Sequence, residues 1–600
     1  MKRKHGRAKN FDRRLWHRFW SIAKPYWFLD ARWTARGMLL LLVVLLFGRT
    51  EFTVLFNQQS GEFTSALAAR DSARFWHSMR IFGAVLAIAV PIYAFYYFVR
   101  DKLGIVWRRW LTARFLGRYF KDRAYYELTS NHAIDNPDQR IADDINSFTT
   151  KSLTFLLEVI GAVLQLVAFS GILWSISRLM VGFLVVYALI GTGVTFGVFG
   201  KPLINLNFQQ LRREADFRFS LIRIRENAEA IAFYRGEARE SAHVLERFGE
   251  LFRNYNRLLK RTLGLNLFQY GYSFVTYILP SLIIAPRVLS GELEVGRVVQ
   301  ASGAFTAMLS SLTIFVDNFE TLSGFAAGIE RLHSFSKSLV VEPPSAHADS
   351  TIARAEQPSL ELRSLTLQTP NRERTLLTDV SVQVPAGQGL LIVGASGGGK
   401  SSLLRAIAGL WNAGTGQILR PKLEEMLFLP QRPYMILGTL RTQLLYPNIE
   451  REIPDDELHA VLEQVNLTGI VERCGGFDAE LDFAKVLSVG EQQRLAIARV
   501  LLTKPRYVVL DEATSALDEK NEAVLYAELV AEQSTLVSVT HHPGLVKYHR
   551  QVLELTGDGS WTLRKADGYQ SEDLPPRSRD ERAAVRARGN LQQRSPGKSG

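Results

Sequence analysis

The sequence predicts two unlike domains in one chain: a multi-pass α-helical membrane domain of six spans, fused to a soluble α/β domain built on a phosphate-binding loop. Three observations predict this. Residues 1–340 hold six apolar runs close to the length a bilayer requires, about 20 residues. The stretch Gly394-Ala395-Ser396-Gly397-Gly398-Gly399-Lys400-Ser401 fits G-x-x-x-x-G-K-[ST]. Around it, Leu390–Val393 reads as a buried strand and Ser402–Gly409 as a helix, which is the context the loop needs.

At 600 residues the chain exceeds what one hydrophobic core serves. Its formal net charge of +13 raises nucleic-acid binding as one reading. Much of that charge flanks apolar runs, however, so membrane orientation explains it better and no nucleic-acid partner is expected. The single cysteine, Cys474, excludes an intrachain disulfide and a multi-cysteine metal site. The basic start, Met1-Lys2-Arg3-Lys4, is not followed closely by the short apolar core and small-residue cleavage site of a signal peptide.

In chain order, residues 1–36 are basic and aromatic, with Arg13, Arg14, Trp16, Arg18, Trp20, Tyr26 and Trp27. They suit a helix lying at a cytosolic membrane surface, with an RNA-binding arm as the rival. The membrane domain is placed at 37–334, with spans near Gly37–Phe56, Ile81–Val99, Leu153–Ile176, Leu179–Phe199, Leu265–Ala285 and Val298–Phe325. The last is interrupted near its end by Asp317, Asn318 and Glu320. The long connectors, 100–152 and 200–264, carry Arg100, Arg108, Arg114, Arg118 and Arg212, Arg213, Arg223, Arg235. The positive-inside rule puts both connectors, both termini and the phosphate loop in the cytosol, where ATP is. The connectors read as membrane helices continuing beyond the bilayer, turning near Asn136–Arg140 and Ala228–Gly236. Residues 335–357, through Pro343-Pro344, form a linker; 358–565 form the soluble domain; 566–600 read as a disordered basic tail. Arg49, Glu51 and Glu158 fall within or beside spans, where ionisable groups often line a pathway. For Arg49 and Glu51 the alternative is the outer interface.

The chemistry sits in the second domain. In Gly394–Ser401 and the adjoining Ser402, glycines let backbone amides close around phosphate, Lys400 reaches the β/γ-phosphates and Ser401 offers its hydroxyl to Mg²⁺. Tyr507-Val-Val-Leu-Asp511-Glu512 is an apolar strand ending in two carboxylates, Asp511 for Mg²⁺ and Glu512 as base for an attacking water. Leu487-Ser488-Val489-Gly490-Glu491-Gln492-Gln493-Arg494 opens a helix, a second anion site.

This last stretch resembles the signature of ATP-binding-cassette proteins, usually Leu-Ser-Gly-Gly-Gln. The resemblance implies further roles. Gln431 matches the Q-loop glutamine that links Mg²⁺ to the membrane domain. Asp518, in Ser515-Ala-Leu-Asp518, matches the D-loop. His541 matches the switch histidine on the γ-phosphate, and the adjacent His542 reads as structural. Two departures stand out. Val489 and Glu491 replace Gly and Gln, although Ser488 and Gly490 are kept. The adenine-facing segment Leu367-Gln-Thr-Pro-Asn371 has no aromatic. In the family, ATP lies between the phosphate loop of one cassette and the signature of another, so one chain needs a second copy, most simply as a homodimer with twelve spans.

Arg123-Ala-Tyr-Tyr126, Asp135-Asn-Pro-Asp-Gln-Arg-Ile141 and Glu226–Glu237 narrow the resemblance. They look like bacterial half-transporters related to the peroxisomal fatty-acyl-CoA transporters of subfamily D, with a membrane domain similar to the SbmA/BacA peptide transporters. The fold this implies is exporter-type, with long cytosolic helical extensions. The implied activity is ATP hydrolysis coupled to transport in the bacterial inner membrane. The implied cargo is a hydrophilic small molecule or peptide such as cobalamin, bleomycin or antimicrobial peptides, taken up. The alternatives are an exporter of lipid-like or toxic compounds, a fatty-acyl transporter, and a membrane-bound ATP-dependent sensor.

Overall fold

The computed structural model describes residues 13–30, 32–130, 137–339 and 352–569. The first twelve residues, the linker around Pro343-Pro344 and the tail from residue 570 lie outside the described residues, as does part of the turn expected near Asn136. Contacts divide the chain into two units, Met1–Val341 and Glu342–Gly600.

The first unit is helical throughout. It begins with α1 (Arg13–Pro25), a π-helical turn (Tyr26–Asp30), α2 (Arg32–Ala68), α3 (Ser72–Phe120), α4 (Ala124–Ser130), α5 (Pro137–Gln139) and α6 (Ile145–Ile176). It continues through α7 (Arg178–Val194), a π-helical turn (Thr195–Gly200), α8 (Lys201–Glu226), α9 (Ala228–Tyr234), α10 (Glu237–Leu289), α11 (Gly296–Asp317) and α12 (Phe319–Ser338). The joints have local causes. Asp71 caps α3 by accepting the Arg74 amide at 3.0 Å. A single extended residue, Ser177, separates α6 from α7.

Five helical stretches among the described residues are long and apolar enough to cross a membrane, and they contain the first five predicted spans. α10 runs 53 residues, or roughly 80 Å at 1.5 Å per residue. That far exceeds a hydrocarbon core of about 30 Å, so much of the helix lies beyond the bilayer. The short α9 falls where the second connector was expected to turn. The sixth span needs correction. Val298–Phe325 is not one helix: α11 ends at Asp317 and α12 starts at Phe319. Asn318 makes the break, its side-chain amide donating to the Ile314 carbonyl at 3.1 Å and satisfying the end of α11.

Two cores hold this unit. One joins α6, α7, α10 and α11 through Phe169, Leu184, Ile284 and Phe305. The other joins α1, α2, α3, α6 and α12 through Tyr26, Leu42, Trp107, Phe148 and Phe335. Here α1 packs into the helical core. Tyr26, just after it, stacks on Trp107, and Arg18 pairs with Glu330 of α12.

The second unit is α/β. Its strands are β1 (Ala353–Glu356), β2 (Leu360–Gln368), β3 (Thr375–Val384), β4 (Leu390–Gly394), β5 (Gly414–Arg420), β6 (Met426–Leu429), β7 (Gly438–Thr439), β8 (Glu480–Leu481), β9 (Tyr507–Asp511), β10 (Thr535–Val539), β11 (Gln551–Leu555) and β12 (Trp561–Lys565). Its helices are α13 (Lys400–Ile407), α14 (Leu440–Leu445), α15 (Asp455–Gln464), α16 (Ile470–Cys474), α17 (Phe483–Val486), α18 (Val489–Thr503) and α19 (Glu519–Ala531). The main sheet has the order β12-β11-β4-β10-β9-β6, parallel except for β12. β4, β9 and β10 are buried along nearly their whole length, as continuous apolar runs in a covered parallel sheet should be. A second sheet, β1-β5-β2-β3, packs its apolar face with β4 and α13 in one core.

Candidate functional site

Parallel topology gathers the predicted residues. The neighbouring strands β4, β10, β9 and β6 end on one edge of the sheet, where open α/β folds bind ligands. After β4 comes the glycine loop, and β9 ends in Asp511 with Glu512 next. His541 follows β10, and Gln431 lies two residues beyond β6. Sequence positions more than a hundred residues apart thus become neighbours because four strands stop together.

At the loop, Gly399 is the N-cap of α13, with φ +93° and no side-chain cap. The first amides of α13 therefore face the loop without a competing side chain. Lys400 is 7% exposed and donates to the carbonyls of Gly394 at 2.8 Å and Ala395 at 3.2 Å. Burial pushes its ammonium below the usual lysine range, opposed by the charges of Glu512 and Asp511. The Ser401 hydroxyl donates to Asp511 Oδ1 at 3.1 Å. Burial raises the Asp511 carboxyl, the Ser401 bond lowers it, and the net direction is upward.

Glu512 leaves β9 with φ +50°, a backbone state uncommon for glutamate. Its amide donates to the Val539 carbonyl of β10 at 3.0 Å. The side chain lies between two predicted partners. Gln431 Nε2 donates to Glu512 Oε2 at 3.0 Å, and His541 Nε2 stands 3.3 Å from Oε1. Gln431, Glu512 and His541 therefore form one cluster.

The signature helix is capped differently. Ser488 Oγ accepts the Glu491 amide at 3.3 Å, and Glu491 Oε2 accepts the Ser488 amide at 2.8 Å and hydroxyl at 2.9 Å. This is a reciprocal capping box, and the unusual Glu491 is its second half. Arg473 meets the other carboxylate oxygen at 2.7 Å. Burial alone would raise the Glu491 carboxyl, but the Ser488 amide, Arg473 and the Ser488 hydroxyl together hold it below the usual range. Gly490 lies against the D-loop: a Cβ there would stand 3.3 Å from the Ala516 carbonyl. Asp518 caps α19, accepting the Asn521 amide at 2.8 Å.

Three residues escaped the sequence reading. Gln493 is 1% exposed; its side chain donates to the Gln431 carbonyl at 3.0 Å and accepts the Ala516 amide at 3.0 Å. It joins the Q-loop, D-loop and signature helix. Arg499 on the same helix donates to the Gln443 carbonyl at 2.6 Å and the Tyr434 carbonyl at 2.9 Å; burial lowers its pKa to about 10. Glu522 is buried between Thr514 and His542, at 2.6 Å and 2.5 Å, which gives His542 its structural place beside the switch. Gln493 stands in the polar run Glu491-Gln492-Gln493-Arg494, and nothing in sequence set it apart or named its partners. At the adenine segment, β2 ends at Gln368, and the Trp411 indole donates to the Gln368 carbonyl at 2.8 Å. An aromatic side chain thus reaches this segment from elsewhere in the chain.

Together the fold and site define a P-loop ATPase fused to a membrane domain. The chain belongs to the ABC transporters. The family descriptions "ABC transporter transmembrane region 2" and "ABC transporter" match residues 26–289 and 377–515. It is 46% identical to an uncharacterized ABC transporter ATP-binding protein of Synechocystis, over 89% of this chain and 82% of that one. It is 37% identical to the chloroplastic ABC transporter D family member 2 of Arabidopsis thaliana, over 93% and 89%. It is 31% identical to the human lysosomal cobalamin transporter ABCD4, over 93% and 98%. A bacterial Atm1-family ABC exporter solved with ATP bound shares the fold, with TM-score 0.72 and 18% identity over 95% of this chain and all of that one. The chain is thus a half-transporter with subfamily D relatives. It binds ATP, and its ATPase activity is coupled to transport across a membrane.

Proposed function

We propose that two copies of this chain form a homodimer in a bacterial inner membrane, cassettes and termini in the cytosol, and take up a hydrophilic small molecule or peptide. The observation that carries the catalytic part is the placing of Glu512 between Gln431 and His541, next to the Ser401–Asp511 pair. The backbone amides of 394–402 and the Lys400 ammonium hold the phosphates, Lys400 exchanging its carbonyl partners for phosphate oxygens. Glu512 takes a proton from water as that water attacks the γ-phosphorus; the β–γ bridge bond breaks, giving ADP and phosphate. His541 donates to the γ-phosphate, and Gln431 relays its presence toward the membrane unit. Ser488 and Gly490 of the second copy close the site, with Asp518 at the seam.

The oxygen donors fit Mg²⁺. Ser401 and Asp511 are adjacent, and the buried carboxyl of Asp511 has a raised pKa, the state a nearby cation relieves. Ser401, Asp511 and Gln431 would hold the ion, which supplies charge neutralisation at the β- and γ-phosphates.

The cargo is proposed from the relatives, one of which is named as a cobalamin transporter, and the direction only from the sequence resemblance to the bacterial uptake group. Purified protein in liposomes tests them, with ATP supplied on the cassette side and labelled cobalamin, bleomycin and a peptide antibiotic as cargo. ATP-dependent accumulation on the cassette side is expected for one of them. Accumulation on the opposite side overturns uptake, and hydrolysis with no movement of any cargo favours a sensor.

A further inference from the structure

The membrane unit contains a cavity that no part of the ATP chemistry uses. It is about 140 Å³ and lies between the π-helical turn after α7, the middle of α10 and the second half of α11. Its walls set the polar Thr195, Gln269, Ser273, Thr306, Ser310 and Thr313 beside the apolar Phe268 and Leu309, and the six polar side chains are neutral. Polar groups at membrane depth are costly toward lipid and belong on protein-enclosed or water-filled space.

Two features mark the cavity as built. Thr195 is 2% exposed, and its hydroxyl has no hydrogen-bond partner among the described residues. A threonine in a helix ordinarily bonds a carbonyl one turn back. This one sits at the start of a π-helical turn, a distortion often found at functional sites. The second feature is a fixed wall. Tyr272 stacks on Tyr187 with ring centroids 4.2 Å apart, and each hydroxyl donates to the other's carbonyl, at 2.7 and 2.8 Å. Gly191 lets that wall stand where it does, since a Cβ there would lie 2.5 Å from the Tyr272 ring. The cavity opens through Ser273, Thr306 and Ser310, which are exposed.

We propose that this cavity is a cargo-binding subsite for an uncharged hydrogen-bonding group, a carboxamide or hydroxyl carried by a larger hydrophilic molecule. Its volume holds about four or five waters at roughly 30 Å³ each, so it takes a short side group and not a whole substrate. Neutral lining disfavours carboxylates and ammonium groups, which would be desolvated without a counter-charge. This deepens the transport reading above and rests on it for the word cargo, but binding itself needs no hydrolysis.

The test is photolabelling of full-length protein in liposomes with a benzophenone-linked primary carboxamide, compared with carboxylate and ammonium analogues of the same shape. Labelled peptides from residues 191–195, 268–273 and 306–313 are expected with the carboxamide, blocked by excess unlabelled carboxamide. Thr195→Val, which keeps the shape and removes the hydroxyl, should weaken labelling roughly five-fold, the worth of one hydrogen bond, and Thr195→Ser should restore it. Thermal unfolding and detergent-solubilised size profiles unchanged from the parent verify that both variants fold. Equal labelling by all three analogues, labelling elsewhere, or no effect of Thr195→Val overturns the proposal. Labelling that persists while every cargo fails to move separates this subsite from a failure of the transport reading.

Discussion

The ATPase unit has two helix N-termini proposed to serve phosphate chemistry, and they are finished in opposite ways. At α13 the N-cap is Gly399, no side chain caps the helix, and Lys400, its first residue, donates to two backbone carbonyls. At α18 the N-cap is Ser488, its bonds are closed by Glu491, and Arg473 neutralises that carboxylate. An uncapped N-terminus with a buried ammonium attracts an anion unaided. A capped one with a carboxylate in its first turn is satisfied already and gains less. On the proposed reading, the difference means that one copy suffices to bind nucleotide, while the signature contributes when a second copy brings phosphate to it.

The largest effect expected is on chemistry. Glu512→Gln keeps a side chain that still accepts from Gln431 but cannot take a proton, so ATP turnover should fall about 10²–10⁴-fold with nucleotide still bound. Phosphate release beside nucleotide retention on the isolated protein measures both. Unchanged release would move the base elsewhere.

Next comes affinity. Lys400→Ala removes the buried ammonium from the uncapped helix and should weaken nucleotide binding about 10–100-fold, the loss of one or two charge-assisted hydrogen bonds. Ser488→Ala should leave binding to a single copy unchanged and lower turnover. Equal losses of affinity in the two variants would erase the distinction between the helices.

A third change acts between them. Gln493→Leu leaves the Gln431 carbonyl and Ala516 amide without their buried partner, at about 1–3 kcal/mol. Turnover should fall more than affinity, because the Q-loop and D-loop lose their shared tether. Gln493→Glu keeps the acceptor for Ala516 and loses the donor to Gln431, so it separates the two contacts.

These contrasts explain what was legible in sequence. Gly394–Ser401 and Asp511–Glu512 could be placed because local patterns carried them, and His541 through the family resemblance; parallel strands that end together bring them to one edge. The membrane spans were legible through their apolar length alone. What escaped was long-range pairing: Gln493 with two loops, Arg499 with the segment after the Q-loop, and the Tyr187–Tyr272 wall. For the sixth span, Asp317, Asn318 and Glu320 signalled an interruption in sequence, but only the backbone shows that one helix ends at Asp317 and another starts at Phe319. Glu158 remains inside α6 with one buried carboxylate oxygen unpartnered among the described residues, and Arg49 lies over Tyr93 and Tyr96.

The smallest effect is the most direct test of how α18 is finished. Glu491→Gln keeps an acceptor for the Ser488 amide, so the capping box survives, but it loses the ion pair with Arg473. The folded-state pKa of Glu491 lies below its unfolded value of 4.5. Its ionic contribution is therefore fully present above pH 4.5 and is lost as pH falls through the folded value. The variant should be less stable than the parent by about 1 kcal/mol or less at pH 7, with the gap closing below pH 4.5. Thermal unfolding of both proteins at pH 7 and pH 4 measures it, alongside the ATP concentration giving half-maximal turnover. A gap equal at both pH values would mean that Glu491 acts by shape alone. A lower half-maximal ATP concentration in the variant would show that the carboxylate also opposes incoming phosphate at the signature helix, making the capped helix the half of the site that resists closure.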